Sequence, residues 1–367
     1  MSGEINQNQK AGANSQQTQI QNLTIINGID EKRAREICDE KFDLIRKEFS
    51  SEALQIANER VSKFEDSLIP KMKKIDGALE SFSDPAFQYL ISKAHKTAAC
   101  TDRDSDYDLL SELLIHHVKN KNERKVKTSI GKAVEIIDQI DDDALCGLTV
   151  IHGAMSLFPK DKKLENGLQI LEGLFEKLIY DALPTGYEWV DNLEILGAIR
   201  ISPVFSNTDI IPKYAKYFSV DAYTGIKKDS ENYQKAMTLL SSNGLPISFL
   251  QPNELNDDYV RLPALNENDV DNLMWVLAPF SPQQKKMIPT AEQIAIFHQI
   301  WKMYDNSSVN KAIANKNFEK KFLSFNNLLK LNNWWKSINH NFSITAVGQV
   351  IAHANAQRLE SSIPPLK

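Results

Sequence analysis

The stretch FSITAVGQVIAHANAQRLE, residues 342–360, contains a strand signal, a helix cap and a helical pattern in direct succession. Phe342, Ser343 and Ile344 can form a short strand, and Thr345 is a residue type favoured at the N-cap of a helix. Apolar residues then recur at helical spacing, which predicts one buried face on a last helix. That face is expected to comprise Val347, Val350, Ile351 and Ala354.

The middle of the chain repeats this spacing of three and four in successive segments. Asp84 followed by Pro85 is a strong helix start, because the aspartate accepts backbone hydrogen bonds and the proline lacks only an N–H that would be unpaired there. Short connectors between helices favour antiparallel neighbours. The expected fold class is therefore mainly α, a multi-helix bundle or stack. Predicted helices cover residues 85–99, 105–119, 126–140, 143–158, 163–180 and 189–199.

The N-terminal part of the chain begins with a polar arm. Residues 1–17 are rich in Gln, Asn, Ser and Gly and carry too little apolar surface to offset the entropy of ordering. Residues 18–27 then read as a strand. A lone strand cannot satisfy its own backbone, so it must pair within the chain or with another copy. The apolar residues expected to mediate pairing are Ile20, Leu23, Ile25 and Ile26.

A long amphipathic helical segment follows at residues 30–75. Its apolar stripe resumes after Ser50 and Ser51 and ends at Pro70. Such a stripe is buried either against another helix of the same fold or against its copy in a neighbouring subunit. The second alternative gives an intersubunit helical seam. The seam residues would be Cys38, Phe42, Ile45 and Phe49.

The second half of the chain is less regular. Residues 202–223 lack a clear period, and residues 245–265, with three prolines, are typical of a connector with a little extended structure. Further helices are predicted over 267–277, 290–304 and 317–335. The expected division is an arm at 1–29, the helical segment at 30–75, a helical bundle at 76–225 and a C-terminal helical domain at 226–367.

Composition excludes some classes of function. The 367 residues are 42% hydrophobic and 25% charged, as in ordinary globular proteins, and the net charge of −5 gives no overall basic field for nucleic acid. Three widely spaced cysteines are expected to be reduced thiols. We expect a cytoplasmic protein without a membrane segment or an export signal.

Chemical motifs are sparse. The segment DRDSDYD, residues 102–108, alternates aspartates as a calcium loop does, but Tyr107 and Leu113 stand where that loop needs glycine and glutamate. A solvated loop with helix-capping aspartates is favoured. His116 and His117 are adjacent and would point apart on a helix. The sequence predicts no catalytic residues, no metal site and no cofactor.

Basic residues are interleaved with aromatic ones near the C-terminus, a combination that can bind single-stranded nucleic acid. At helical spacing, however, Phe318, Phe322 and Phe325 form one stripe that is expected to be buried, with the lysines on its solvated reverse side. Nucleic-acid binding is therefore disfavoured but kept as an alternative. The lysines concerned are Lys311, Lys316, Lys320, Lys321, Lys330 and Lys336.

Several segments in order along the chain resemble a family of uncharacterised bacterial helical proteins, the LPO/Vpar-type family. They are QIQNLTIINGIDEKRAREI, SSEALQIANERVSKFED, DPAFQYLISKAHKTAA with DLLSELLIHHVK downstream, and FSITAVGQVIAHANAQR. The resemblance implies a helical intracellular protein with no assigned catalytic residues. Some members lie near bacteriophage-defence genes, which implies a context rather than a mechanism.

These features predict a non-enzymatic, homo-oligomeric scaffold or sensor of the bacterial cytoplasm that has a protein partner and is active in phage defence. The arm would join copies of the chain. One alternative is a nuclease-like effector enzyme, in which Asp and His residues converge only in the fold. The other is a protein that binds nucleic acid through its C-terminal basic and aromatic residues.

Overall fold

The computed structural model describes residues 28–120, 123–201, 209–277, 285–338 and 342–366, and these are mainly helical. The predicted fold class is confirmed. The described residues form fourteen α-helices: α1 Glu31–Arg46, α2 Ser51–Lys73, α3 Pro85–Cys100, α4 Asp104–Lys119, α5 Arg124–Ile136, α6 Asp142–Ser156, α7 Leu164–Leu178, α8 Glu188–Ile195, α9 Ile210–Tyr217, α10 Glu231–Ser242, α11 Ala291–Trp301, α12 Ser308–Leu323, α13 Asn326–Ser337 and α14 Ala346–Leu359.

The strands among these residues are short and antiparallel. They are β1 Ile199–Ile201, β2 Ile226–Lys227, β3 Gln251–Pro252, β4 Tyr259–Arg261, β5 Trp275–Leu277, β6 Lys285–Met287 and β7 Phe342–Ile344. β1 pairs with β7, β4 lies between β2 and β3, and β5 pairs with β6. The predicted strand at Phe342 is thus confirmed, and its partner lies more than 140 residues earlier, with Ile199 opposite Ile344.

Several helices begin where their cap residues predict. Asp84 accepts a hydrogen bond from the Ala86 N–H and Pro85 occupies the first turn of α3. The Thr345 side chain accepts from the Gly348 N–H at 3.2 Å at the start of α14. Both starts were predicted, because a side-chain oxygen satisfies an N–H that has no partner within the helix.

The largest core is built from α1–α9 and α12–α14. At its centre α14 packs against α4, α5 and α6. Every residue from Val350 to Ala356 is buried, so this helix is enclosed on all sides rather than on one face. Of the predicted face, Val350, Ile351 and Ala354 are buried and Val347 is half-buried.

A second, smaller core lies within residues 226–304. It includes Phe249 and Phe297, whose ring centroids are 4.6 Å apart, together with residues of α10 and α11. The last three helices belong to the first core. The second core therefore begins near the expected boundary at residue 226, while residues of α12–α14 return to the first core. The division of the chain into units stays a prediction.

Some predicted elements were wrong. Residues 267–277 are a 3₁₀ turn, Glu267–Asn272, followed by β5, because Trp275, Val276 and Leu277 pair with β6 instead of continuing a helix. The predicted helix 317–335 is two helices that are broken at Phe325, where the backbone is extended.

Helix limits also differ from the prediction at several points. α2 continues through Pro70 to Lys73. The helix predicted over 189–199 ends at Ile195, and Gly197, with a φ of +74°, turns the chain into β1. Two helices, α9 and α10, lie where no helix was predicted.

Gly348 is required where α14 meets β1. A Cβ atom at this position would lie 2.0 Å from the carbonyl oxygen of Ala198, whose position is fixed by the hydrogen bond that it accepts from the Thr345 N–H. We expect Gly348→Ala to lower the free energy of unfolding by about 1–3 kcal/mol, although Ala favours helices intrinsically. Urea unfolding measures this change.

The matched control is Gly173→Ala in α7, where a Cβ would meet no atom within 4 Å. This variant is expected to be more stable than the wild type by roughly 0.5–1 kcal/mol, because only the helix propensity changes. Equal effects of the two substitutions would contradict the close approach at Gly348.

Candidate functional site: two buried clusters of ionisable side chains

The residues predicted for assembly fall into two groups. Ile20, Leu23, Ile25 and Ile26 lie outside the described residues. The predicted seam residues Cys38, Phe42 and Ile45 are buried in the chain's own core, on the face of α1 that packs against α3. Phe49 is half-buried against the same core. Of the two alternatives for this stripe, burial within the same fold is the one that the structure contains.

The first cluster, here called the thiol–imidazole cluster, comprises Cys38 of α1, Glu65 of α2 and His95 of α3. The donor atoms of the three side chains all lie within 4.8 Å of one another. Nε2 of His95 is 3.0 Å from Oε1 of Glu65. Cys38 and His95 are fully buried, and the Glu65 side chain is 12% exposed.

The surroundings of this cluster are mainly apolar. The edges of Phe42 and Phe64 contact the ring of His95, each with centroids 5.8 Å apart. Neither ring nitrogen of His95 has a hydrogen bond, because the approach to Glu65 is short but badly angled. Burial, together with the negative charge of Glu65, raises the pKa of the Cys38 thiol well above its ordinary value.

A thiol, a carboxylate and an imidazole are a donor set that suits zinc and similar ions. The sequence showed Cys38 on an apolar stripe but gave no reason to join it to Glu65 or His95. A signal was present at His95, which lies four residues after Ile91 on the buried face of α3. An ionisable residue at a core position of a predicted helix could therefore have indicated a buried polar cluster at His95.

The second cluster, here called the histidine relay, comprises His116 of α4, His152 of α6, and His353 and Gln357 of α14. Nε2 of His353 is 2.9 Å from the carbonyl oxygen of Pro364, which can only accept. His353 therefore donates from Nε2, and its Nδ1 accepts from Nε2 of His152 at 3.1 Å. The hydrogen bonds thus fix both tautomers of this buried pair.

A second branch of the relay starts from His116. The Gln357 amide donates to the carbonyl oxygen of Ile363 at 2.8 Å, which directs its oxygen toward Nε2 of His116. The rings of His116 and His353 lie 5.6 Å apart. Both branches end on the chain segment after α14, so the relay fastens residues 363 and 364 to α4, α6 and α14.

Burial makes the charged forms of these histidines unfavourable. It lowers the pKa of His152 and of His353 to about 4, and the charge on a neighbouring histidine contributes to the lowering of each of these pKa values. Burial also lowers the pKa of His116. His117 points away from the relay, as its position predicts, and lies against Phe87 with a pKa of about 4. Nothing in the sequence joins His152 to His353, because they lie 201 positions apart.

The aspartate-rich segment 102–108 is a structural network. Both carboxylate oxygens of the fully buried Asp106 accept hydrogen bonds, one from Arg103 at 2.7 Å and one from Thr101 at 2.6 Å. Arg103 also donates to the carbonyl oxygens of Ile137 and Ile140. Asp106 therefore has no oxygen turned to an ion. The expectation of a solvated loop is wrong for this residue.

The aromatic residues near the C-terminus lie in the core. Phe318, Phe322, Trp334 and Trp335 are buried and Phe325 is half-buried, so the predicted stripe is confirmed. Nε1 of Trp334 donates to the Pro184 carbonyl oxygen at 2.7 Å. These rings present no stacking surface to a base. The nucleic-acid alternative therefore has no support from these aromatic residues.

A surface hollow lies between the end of α7 and α13. It has a volume of about 560 Å³, is widely open, and contains one carboxylate, Asp181, and one amine, Lys330. It does not bring carboxylates or histidines together. The ring of His298 approaches Asp271 at 2.8 Å and Glu267 at 3.6 Å, but both carboxylates are more than half exposed, so the two clusters are distinguished by their burial.

The fold and the clusters define a mainly α protein whose convergent ionisable side chains are enclosed between helices. None of the helices in the described part of the chain combines the length and the hydropathy needed to cross a bilayer.

A protein-family model matches residues 28–364, so the chain belongs to that family, whose members are uncharacterised. This membership is consistent with the LPO/Vpar-type resemblance of the sequence. Comparisons with curated proteins and with solved structures gave no match.

The histidines predict a loss of stability in weak acid. Histidines with a pKa near 4 in the folded protein and 6.5 in the unfolded chain bind protons preferentially in the unfolded state between these values. Their contribution to the free energy of unfolding is complete above about pH 6.5 and is lost as the pH falls toward 4. The loss is on the order of 3 kcal/mol for each residue. Urea unfolding over a pH series measures this loss.

The variant His152→Gln tests the assignment to the relay, because its amide can still donate to His353. The pH slope of the free energy of unfolding should become smaller by up to about 1.4 kcal/mol per pH unit in this window. A slope identical to that of the wild type would show that His152 does not titrate with unfolding.

The Arg103 network predicts a large effect of a single substitution. Arg103→Gln leaves the buried Asp106 without its guanidinium partner, and we expect the free energy of unfolding to fall by about 3–5 kcal/mol. The control is Lys63→Gln, which removes the exposed partner of Asp104 at the start of α4. Little change is expected there because solvent screens that pair. Similar losses in both variants would contradict the role of burial.

Proposed function

We propose that the protein is a non-enzymatic, homo-oligomeric scaffold or sensor of the bacterial cytoplasm, with a role in phage defence and a protein partner. In this proposal the arm at residues 1–29 joins copies of the chain through its predicted strand at residues 18–27, and the helical body holds the arm's base. The family context implied by the sequence resemblance is the reason for including defence.

The observation that carries the proposal is the anchoring of the arm's base. The Ile29 N–H donates to Oε1 of Glu80 at 3.1 Å, and the Asp30 side chain caps α1 by accepting from the Arg33 N–H at 2.8 Å. The apolar stripe of α1 is buried against the chain's own helices. The arm therefore follows a fixed point, and the strand that the sequence predicts at residues 18–27 would need a partner for its backbone groups.

Two further observations support an assembly role. The family match begins at residue 28, at the base of the arm, so that the matched body and the arm are distinct stretches of sequence. The surfaces of α1 and α2 also carry large exposed aliphatic side chains, Leu44 and Ile56. Exposed apolar side chains on these helices suit contact with another copy of the chain.

The buried clusters favour this class of function over the enzyme alternative. The thiol of Cys38 and the imidazoles of the relay are enclosed, and burial opposes their charged forms. A nucleophile or general base must reach a substrate atom within hydrogen-bond distance. Side chains that are enclosed by helices act on the stability of the body rather than on a substrate.

The arm hypothesis predicts the mass of the protein in solution. Light scattering over a concentration series should give a defined oligomer for the full chain and a smaller species for a chain starting at Gly28. The reason is that only the full chain carries the strand that pairs between copies. Circular dichroism of the shortened chain should stay helical.

A matched variant keeps the length of the arm and replaces Ile20, Leu23, Ile25 and Ile26 with asparagine. This chain should also dissociate, since its backbone is present but its apolar side chains are not. A monomeric full-length protein at every concentration would overturn the assembly proposal. An oligomer of unchanged size in both altered chains would move the interface to the helical body.

A further inference from the structure

The geometry of the thiol–imidazole cluster points to a metal site: we propose that Cys38, Glu65 and His95 bind one divalent transition metal ion of the zinc type. Three protein ligands leave the fourth position of a tetrahedral ion for water. The proposal goes beyond the scaffold function and does not depend on the arm. It uses residues from three different helices, each fixed by its own core contacts.

The distances suit coordination. Ligand atoms around a tetrahedral zinc ion lie about 3.3–3.7 Å apart, given bond lengths near 2.0 Å to nitrogen and oxygen and 2.3 Å to sulfur. The separation of 3.0 Å between Nε2 of His95 and Oε1 of Glu65 is close to this, and all three donor atoms lie within 4.8 Å. Small rotations of the side chains are sufficient to bring them onto one ion.

The charges also balance. A thiolate from Cys38, a carboxylate from Glu65 and a neutral His95 carry two negative charges, which a divalent cation cancels. A neutral complex suits the apolar surroundings provided by Phe42 and Phe64. Binding would release the thiol proton of Cys38 to solvent, so that one proton leaves for each ion bound.

The ring nitrogens of His95 provide a second argument for the metal site, independent of the distances. This side chain is fully buried, and neither Nδ1 nor Nε2 has a hydrogen bond among the described residues. A buried polar atom without a partner is costly, and such atoms are rare in folded proteins. Coordination of Nε2 would give that atom a well-aligned partner in place of its poorly angled approach to Glu65. Each buried histidine of the relay, by contrast, already has a hydrogen bond through at least one ring nitrogen.

A metal ion at this position would tie together the first three helices. α1 carries Cys38 and follows directly from the anchored base of the arm, while α2 and α3 supply the other ligands. An ion would therefore stabilise the docking of α1 on the body. The Glu65 side chain, 12% exposed, marks the side from which water and the ion can enter.

Cobalt(II) is the probe, because it replaces zinc and absorbs light when tetrahedral and bound by thiolate. The full-length protein carrying Cys100→Ser is used, since Cys100 is an exposed thiol. Titration should give a thiolate-to-cobalt charge-transfer band that saturates at one ion per chain. Zinc should then displace the cobalt and raise the thermal midpoint by roughly 3–5 °C at a hundredfold excess over its dissociation constant.

Three variants in this background identify the ligands. Cys38→Ser should abolish the charge-transfer band, and His95→Gln and Glu65→Gln should each weaken binding at least tenfold. Cys146→Ser is the matched control, because Cys146 is equally buried but outside the cluster. It should leave the band unchanged.

Other results would overturn the proposal. Absence of the band in the folded protein with all three ligands intact would exclude a thiolate-bound ion. A band that survives Cys38→Ser, or disappears with Cys146→Ser, would assign the binding elsewhere. If Cys38→Ser fails to fold, the isosteric Glu65→Gln variant tests the site instead. Unchanged cobalt affinity in that variant would also contradict the proposal.

Discussion

The enclosure of α14 is the constraint on which the rest of the large core depends. A helix that is buried on all sides needs apolar or small residues around its whole circumference, and any polar side chain on it needs an internal partner. Val350 to Ala356 meet the first condition except at His353 and Asn355. The hydrogen-bond partners of these two residues come from α6, from Tyr180 and from the chain end.

The partners of the two polar residues come from distant parts of the chain. Asn355 donates to the hydroxyl of Thr149 on α6 at 2.9 Å and to that of Tyr180 at 3.2 Å, while His353 joins His152 to the Pro364 carbonyl. Because these bonds are buried, they are strong, and their geometry allows few alternatives. The same burial keeps the histidines neutral, which links the stability of the core to pH.

The thiol–imidazole cluster differs from the relay in one physical respect. Both consist of buried ionisable side chains between helices, but each histidine of the relay has at least one hydrogen bond, whereas neither ring nitrogen of His95 has one. The hydrogen bonds of the relay make it a structural element. His95 lies beside a thiol and a carboxylate, and these three donors are the set that the proposed divalent cation prefers.

The sequence by itself determined the helical class, most helices up to α8, the caps at Asp84 and Thr345, and the family, because these depend on local spacing and local hydrogen bonds. It did not determine that Phe342 pairs with a strand at Ile201, that α12–α14 rejoin the first core, or that His152 meets His353. The strand at Trp275 follows from pairing with β6, and the new helix start after Phe325 is capped by Glu172 of α7, which accepts from the Asn327 and Leu328 N–H groups. Cys38, Glu65 and His95 converge only because three helices pack together, and no spacing along one helix encodes such a meeting.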